Sequence, residues 1–357
     1  MEPLKILSFG AGAIGTYIGG SLALAGHKVV FVEQPALLDS LRTRGLTLDL
    51  KIDPRRQGKG TFTVGLPAVE FTASFAEALA NTRFDVILFA LKSYDTQAAL
   101  DSLKPFASQL PPVLCLQNGV DNEPAIAAAL GADKVIYGTV TSAIGRRGVG
   151  EIVLEKLRGV GVADGHPLSK RLVEALDGAY LNAKSFPKAA DMKWSKMLTN
   201  LLANPTSAIL DMTAAEVFAN PDLYRLEIDQ LSECLAVMKA LGIGVVDLPG
   251  TPVRALALAT KLPLWLSKPF LSKAAGAGRG AKMPSFHIDL HSGRGRSEVT
   301  YLHGAVVRAG EKTGVPTPVN RLLTETLLDL TAGKIPLDEF AHKPEKLLAK
   351  LVDSKVS

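Results

Sequence analysis

The first half of the chain alternates short apolar runs with amphipathic stretches. Leu4–Phe9 reads as a buried strand, Ile14–Ala25 as a helix and Lys28–Val32 as a second strand. Further strands are predicted at Val86–Leu91, Val113–Leu116 and Val135–Thr139. Each is short, apolar and bounded by Gly, Pro, Asn or charge, as expected of parallel strands covered on both faces. Strand and helix in alternation imply right-handed crossover units and a doubly wound sheet. Glu151–Leu154 and Gly159–Ala163 are predicted to extend that sheet antiparallel at its edge. Beyond about Lys184 the period changes. Ala189 to Ala332 reads almost wholly as helix, broken at Asn204-Pro205, Gly242–Pro252 and Lys273–Pro284. The predicted fold class is therefore α/β: a doubly wound sheet domain over 1–187, then an all-α domain over 188–336. The lysine-rich tail, 337–357, is expected to fray or pack loosely.

Composition narrows the function classes. A chain of 357 residues suits two ordinary domains, and 47% hydrophobic against 21% charged residues is the balance of a globular protein with a core. Cys115 and Cys234 lie far apart in apolar surroundings, outside any metal-ligand or redox spacing. No disulfide framework and no metal site are expected, and a reducing, cytoplasmic setting fits. The start of the chain lacks the charged and apolar regions of a signal peptide. No apolar stretch approaches the ~18–20 residues of a membrane span. A net charge of +5 suits an anionic small ligand. Without a basic patch interleaved with aromatics, no nucleic-acid partner is expected.

The chemistry begins at Gly10-Ala11-Gly12-Ala13-Ile14-Gly15, which follows a predicted strand and opens a predicted helix. In that context Gly10 permits the tight turn, Gly12 lets backbone approach a pyrophosphate, and Gly15 lets helix pack on strand. The helix N-terminus adds N–H groups and a favourable dipole for phosphates. At the end of the second strand Glu33 stands where an acid accepts from the ribose hydroxyls and repels a 2′-phosphate. No arginine accompanies it, which favours NAD; as a solvated loop residue, Glu33 would say nothing. Two more strand ends carry polar groups: Lys92 after Leu91, and Asn118 before Gly119. Each alone is an ordinary solvated lysine or turn; side by side after neighbouring strands they point at a ligand.

Lys196, Asn200 and Asn204 follow at spacings of i, i+4 and i+8, predicted to share a helix face beside the apolar stripe of Met197, Leu198, Leu201 and Leu202. Asparagine is a poor helix former. Two of them half-buried serve either a neighbouring element or a polar substrate. In the second reading a lysine stabilises the alkoxide developing from a ketone and then protonates it.

With these residues in place, the chain resembles the ketopantoate reductases, or 2-dehydropantoate 2-reductases. The matching blocks are the glycine fingerprint, Leu91-Lys92, Leu116 to Gly119, Lys193-Trp194 through Asn204-Pro205, and Ser297 to Tyr301 running on to Gly314 through Pro318. The resemblance implies a Rossmann domain joined to a helical domain, a site in the cleft between them, NAD(P)H as cofactor and a role in pantothenate biosynthesis. It implies Lys196 as proton donor, Asn200 and Asn204 as substrate-binding amides, and Asn118 near both nicotinamide and substrate. Lys92 becomes a cofactor-side lysine, Ser285 a ligand of the substrate carboxylate and Glu298 an acid facing substrate or cofactor. Read from the residues alone, Ser285 is a helix N-cap and Glu298 a first-turn charge.

Two departures stand out. NADP-using members typically carry arginine where this chain has Gln34 after Glu33. Relatives that act as NAD-dependent D-2-hydroxyacid dehydrogenases on branched or aromatic 2-keto acids therefore offer a second reading, and a non-catalytic dinucleotide sensor a third. Thr251–Lys282 is basic, rich in Leu and Ala, and without an acid. It is expected to pack on the core or on a second copy of the chain; a membrane-surface or acidic-partner contact is the alternative.

Overall fold

A computed structural model describes residues 2–56, 60–80, 82–276 and 283–356. The strands are β1 (Lys5–Phe9), β2 (Lys28–Val32), β3 (Leu46–Asp49), β4 (Thr61–Val64), β5 (Val69–Thr72) and β6 (Val86–Phe89). They continue as β7 (Val113–Cys115), β8 (Val135–Val140), β9 (Ala143–Gly148), β10 (Glu151–Lys156), β11 (Val160–Ala163) and β12 (Ala183–Phe186). The chain forms two compact units. One runs to Lys193 and adds Leu248–Thr251; the other runs from Trp194 to Asp247 and on from Pro252. The division falls inside the helix Ala189–Leu201, beyond Pro187. Pro187 precedes that helix, a position where proline serves as a start and not as a linker.

In the first unit an eight-stranded sheet has the order β12-β11-β8-β7-β6-β1-β2-β5. All its pairs are parallel except β8 with β11. The order reverses beside β1, which makes the loop after β1 and the end of β6 the walls of the crevice where such sheets bind ligands. One expectation needs correction: β10 does not extend this sheet. It lies in a second sheet of order β4-β3-β10-β9, parallel to β3 and antiparallel to β9. Its alternating burial explains why, since Ile152 and Leu154 are buried while their neighbours are not, the pattern of a strand covered on one face.

Helix Ala13–Leu24 is the layer between the sheets. A Cβ on Gly19 would fall 2.7 Å from Phe31 of the main sheet, and one on Gly20 would fall 2.8 Å from Leu48 of the second. Contacts under 3.0 Å are ones real Cβ atoms do not make, so the glycine pair lets one helix be gripped from both sides.

The second unit is helical. Its longest helix, Pro221–Ala240, packs against His303–Thr313 and Pro318–Thr331. The expectation of a fraying tail is also corrected. Pro344–Val356 is a helix against Pro318–Thr331, with Leu347 and Leu351 buried at i and i+4 among the lysines. That stripe supplies the packing that a lysine count conceals. Within the basic insert, Val253–Ala259 and Leu264–Gly276 are helices; residues 277–282 lie outside the described residues. No described helix is long and apolar enough to cross a membrane.

Candidate active site

The glycine loop folds as its sequence requires. Gly10 adopts φ 82°, a left-handed conformation that costs a residue with Cβ. A Cβ on Gly15 would stand 2.5 Å from the Gly10 carbonyl oxygen, so helix and loop meet only because Gly15 has none. A Cβ on Gly12 would meet nothing within 4 Å, which leaves open space over the loop. Gly12 is the N-cap of Ala13–Leu24, with no side-chain cap and no acid in the first turn. Glu33 reaches this loop: the Ala11 amide donates to its Oε2 at 2.8 Å and the Gln34 amide to its Oε1 at 3.0 Å. It is no solvated bystander. Open space over Gly12, an uncapped helix start and an anchored carboxylate are what a dinucleotide pyrophosphate and ribose require.

Lys92 and Asn118 follow the adjacent strands β6 and β7. Asn118 holds its side chain exposed while its carbonyl accepts from Ser93 Oγ at 3.2 Å and Asn122 Nδ2 at 2.7 Å. Gly119 beside it takes φ 89°. Beneath these ends lies a network the sequence did not announce. Gln117 Nε2 donates to the Leu91 carbonyl and to Thr96 Oγ1, each at 3.0 Å, and Thr96 Oγ1 donates to Asn122 Oδ1 at 2.9 Å. Lys193 Nζ donates to the carbonyls of Gln117 at 2.7 Å and Gly138 at 3.2 Å, and lies 2.7 Å from Glu123 Oε1. Both charged side chains of that pair are buried. Burial, and then Glu123, push the nearby Cys115 thiol well above its usual range. Cys115 and Cys234 are both buried and unbridged, as expected of inert core thiols.

In the helical unit Lys196 and Asn200 are half-buried, one turn apart on Ala189–Leu201. The predicted continuous face out to Asn204 is corrected. Ala203 turns left-handed at φ 52°, and a new helix, Asn204–Leu210, begins with Pro205 in its first turn. In an uninterrupted helix the proline ring would collide with the carbonyl four residues back. Asn204 nevertheless returns to the site. Its Nδ2 donates to the Asn200 carbonyl at 3.2 Å and to Ser285 Oγ at 3.3 Å, and its Oδ1 accepts from the Phe286 amide at 3.1 Å. Ser285 is not an N-cap. It is the first residue of the helix Ser285–His291, with Pro284 before it, and its hydroxyl faces Asn204. The Asn200 Nδ2 is buried and has no hydrogen-bond partner among the described residues. A buried donor of this kind is satisfied by water or by an acceptor on a ligand. Glu298, in the short turn Glu298–Tyr301, is buried and not a surface charge.

The left-handed turn has its own support. Buried Glu227 accepts from the Ala203 amide at 2.7 Å and from Thr206 Oγ1 at 2.6 Å. Gln230 Nε2 also donates to Glu227, and Gln230 Oε1 accepts from His303 Nε2 at 3.0 Å.

Residues 6–164 match the family described as ketopantoate reductase PanE/ApbA, and residues 188–330 match its C-terminal part. The chain belongs to the ketopantoate reductase family. A 2-dehydropantoate 2-reductase of Archaeoglobus fulgidus is 28% identical over 337 residues, covering 93% of this chain and 98% of that one. The crystal structure of a PanE/ApbA family ketopantoate reductase from Ralstonia eutropha JMP134 is similar at a TM-score of 0.76 and 26% identity, covering 93% and 99% of the two chains. A D-mandelate dehydrogenase solved with NADH and anilino(oxo)acetate shares the fold at a TM-score of 0.73 and 22% identity, covering 94% and 100%. Membership in the ketopantoate reductase family brings dependence on a nicotinamide dinucleotide, which the glycine loop and its open face fit.

Proposed function

We propose that this chain reduces a small 2-keto acid, 2-dehydropantoate or a close analogue, to the 2-hydroxy acid. The observation that carries the reading is the buried, unpartnered amide nitrogen of Asn200, one turn from Lys196 on the same helix. The Ser285 hydroxyl, held beside it by the Asn204 amide, supplies a donor for a carboxylate. A nicotinamide, held by residues 10–15 and Glu33 when bound, would supply the hydride that the carbonyl carbon takes up. The Lys196 ammonium donates to the carbonyl oxygen, stabilises the charge growing there and transfers the proton that completes the alcohol. Asn200 Nδ2 donates to a substrate oxygen, and Glu298 accepts from a substrate or cofactor hydroxyl. On the cofactor side, residues 10–15 cradle the pyrophosphate, Glu33 accepts from the ribose and Lys92 and Asn118 border the nicotinamide end.

Glu33 also carries a preference for NADH, because a 2′-phosphate would bring negative charge against an anchored carboxylate. That preference supports the second reading, an NAD-dependent D-2-hydroxyacid dehydrogenase. One assay separates the readings: 2-dehydropantoate and branched and aromatic 2-keto acids, each tested with NADH and NADPH by nicotinamide absorbance. Turnover of 2-dehydropantoate above the others supports the first reading, preference for a bulkier keto acid supports the second, and no turnover of any leaves only a dinucleotide sensor. A strong bias to NADPH would overturn the role given to Glu33.

The proposal extends to assembly. The helices Val253–Ala259 and Leu264–Gly276 expose Leu258 and Trp265, which is 77% exposed, and a second copy of the chain is the partner proposed for that face. Light scattering should report a dimer that Trp265→Glu dissociates; a monomer for the parent would reject it.

A further inference from the structure

Asp211, His287 and His291 lie together at a place that substrate reduction does not use. His287 and His291 are four residues apart on Ser285–His291, so their imidazoles project from one face, with ring centroids 4.1 Å apart. Asp211 caps the end of Asn204–Leu210 in a left-handed conformation, φ 50°, and its Oδ1 sits 2.7 Å from His287 Nε2. One donor atom from each of the three residues lies within 4.8 Å of the others. The backbone brings a further imidazole near. The His342 amide donates to the Leu210 carbonyl at 2.7 Å, and His342 Nε2 is 3.9 Å from Asp211 Oδ2.

We propose that Asp211, His287 and His291 bind a divalent transition-metal ion of the zinc type. Two imidazoles and one carboxylate are a ligand set that suits such an ion, with water completing the tetrahedron. At metal–ligand distances near 2.1 Å, donors on one tetrahedral ion stand about 3.4 Å apart. The cluster reaches that spacing through side-chain rotations at half-exposed and exposed positions. The ion takes the place of the proton between His287 and Asp211, and His342 lies beyond it against the second carboxylate oxygen. Bound there, the ion cross-links Asn204–Leu210 to Ser285–His291.

The test uses the full chain without an affinity tag, stripped by chelator and titrated with zinc in a calorimeter, with cobalt(II) as a visible-absorption probe. The expected result is one saturable site per chain, a tetrahedral cobalt spectrum and a higher unfolding temperature with zinc. His291→Ala, at an exposed position, should weaken binding at least about 100-fold. Without metal, that variant should unfold at the parent's temperature. Asp211→Asn should weaken binding as well. An adventitious ion only, seen as weak non-stoichiometric uptake or as binding unchanged in His291→Ala, overturns the proposal. Keto-acid reduction does not enter the readout, so the two proposals fail separately.

Discussion

Lys196 and Asn200 place one cationic donor and one unpartnered amide donor on the same helix face, and each makes a different demand on kinetics. A general acid acts in the transition state. Lys196→Ala should therefore lower kcat by about 10²–10⁴-fold while dinucleotide affinity, read by fluorescence titration, stays within about twofold. Wild-type turnover in that variant would remove Lys196 from the chemistry. Asn200 is proposed to bind substrate, so Asn200→Ala should raise KM more than it lowers kcat. Asn200→Asp should be worse, because it sets a carboxylate against an anionic substrate. If both variants keep the parental KM, the buried Nδ2 serves packing and not substrate.

Among the elements, the exit of β7 and the middle of β8 are held by a buried charge pair. Lys193 donates to the carbonyls of Gln117 and Gly138 while lying against Glu123. Removing one partner strands the other charge in a dry site. Lys193→Met is expected to cost about 3–5 kcal/mol in chemical denaturation, and Lys193→Met with Glu123→Leu should recover part of that loss. A single variant as stable as the parent would show the pair to be dispensable. The glycine loop makes a similar demand. A methyl on Gly15 would collide with the Gly10 carbonyl at 2.5 Å, so Gly15→Ala should displace the start of Ala13–Leu24 and weaken dinucleotide binding by more than tenfold, about 1.4 kcal/mol. Gly12→Ala, whose Cβ would meet nothing within 4 Å, should leave the stability of the protein without dinucleotide nearly unchanged and affect binding alone.

For the molecule as a whole, His303 links the helical unit to acid. Burial depresses its pKa from 6.5 to about 3, so it stays neutral in the folded state with Nε2 donating to Gln230. The unfolded chain takes up that proton as pH drops below 6.5, whereas the folded chain does not until about 3. The contribution is therefore complete above the unfolded value and is lost on acidification, at a limiting slope of about 1.4 kcal/mol per pH unit. His303→Phe should flatten that slope for the helical unit. At neutral pH it should cost about 1–3 kcal/mol, because Gln230 loses its donor. Denaturant titrations from neutral to mildly acidic pH check both, and an unchanged slope would exclude His303 as the source.

Local pattern made the parallel strands, the glycine loop and the helical second half legible. A run such as Val86–Phe89 can be satisfied only where both faces are covered, and Gly10, Gly12 and Gly15 serve a backbone need set by near neighbours. Lys196 and Asn200 were also readable, being one turn apart on one helix. The strands β3, β4, β5, β9 and β12 were not: β3, β4, β5 and β12 are four-residue runs with polar positions, β9 carries Gly145 and Arg146-Arg147-Gly148 in place of an apolar run, and β3 and β5 pair with strands distant in sequence, β10 and β2. The same distance hid Glu123 under Lys193, Glu227 under Ala203 and Asp211 beside the histidine pair. The sequence by itself determined the periodicities, the fingerprint and the residue types available for chemistry. Tertiary structure alone decided which sheet β10 joins, that Asn204 bonds to Ser285 across a helix break, and which buried charges meet. The physical reason is range: backbone propensity and amphipathic period act over a few residues, whereas burial, hydrogen-bond satisfaction and ion pairing are settled only once distant segments pack together.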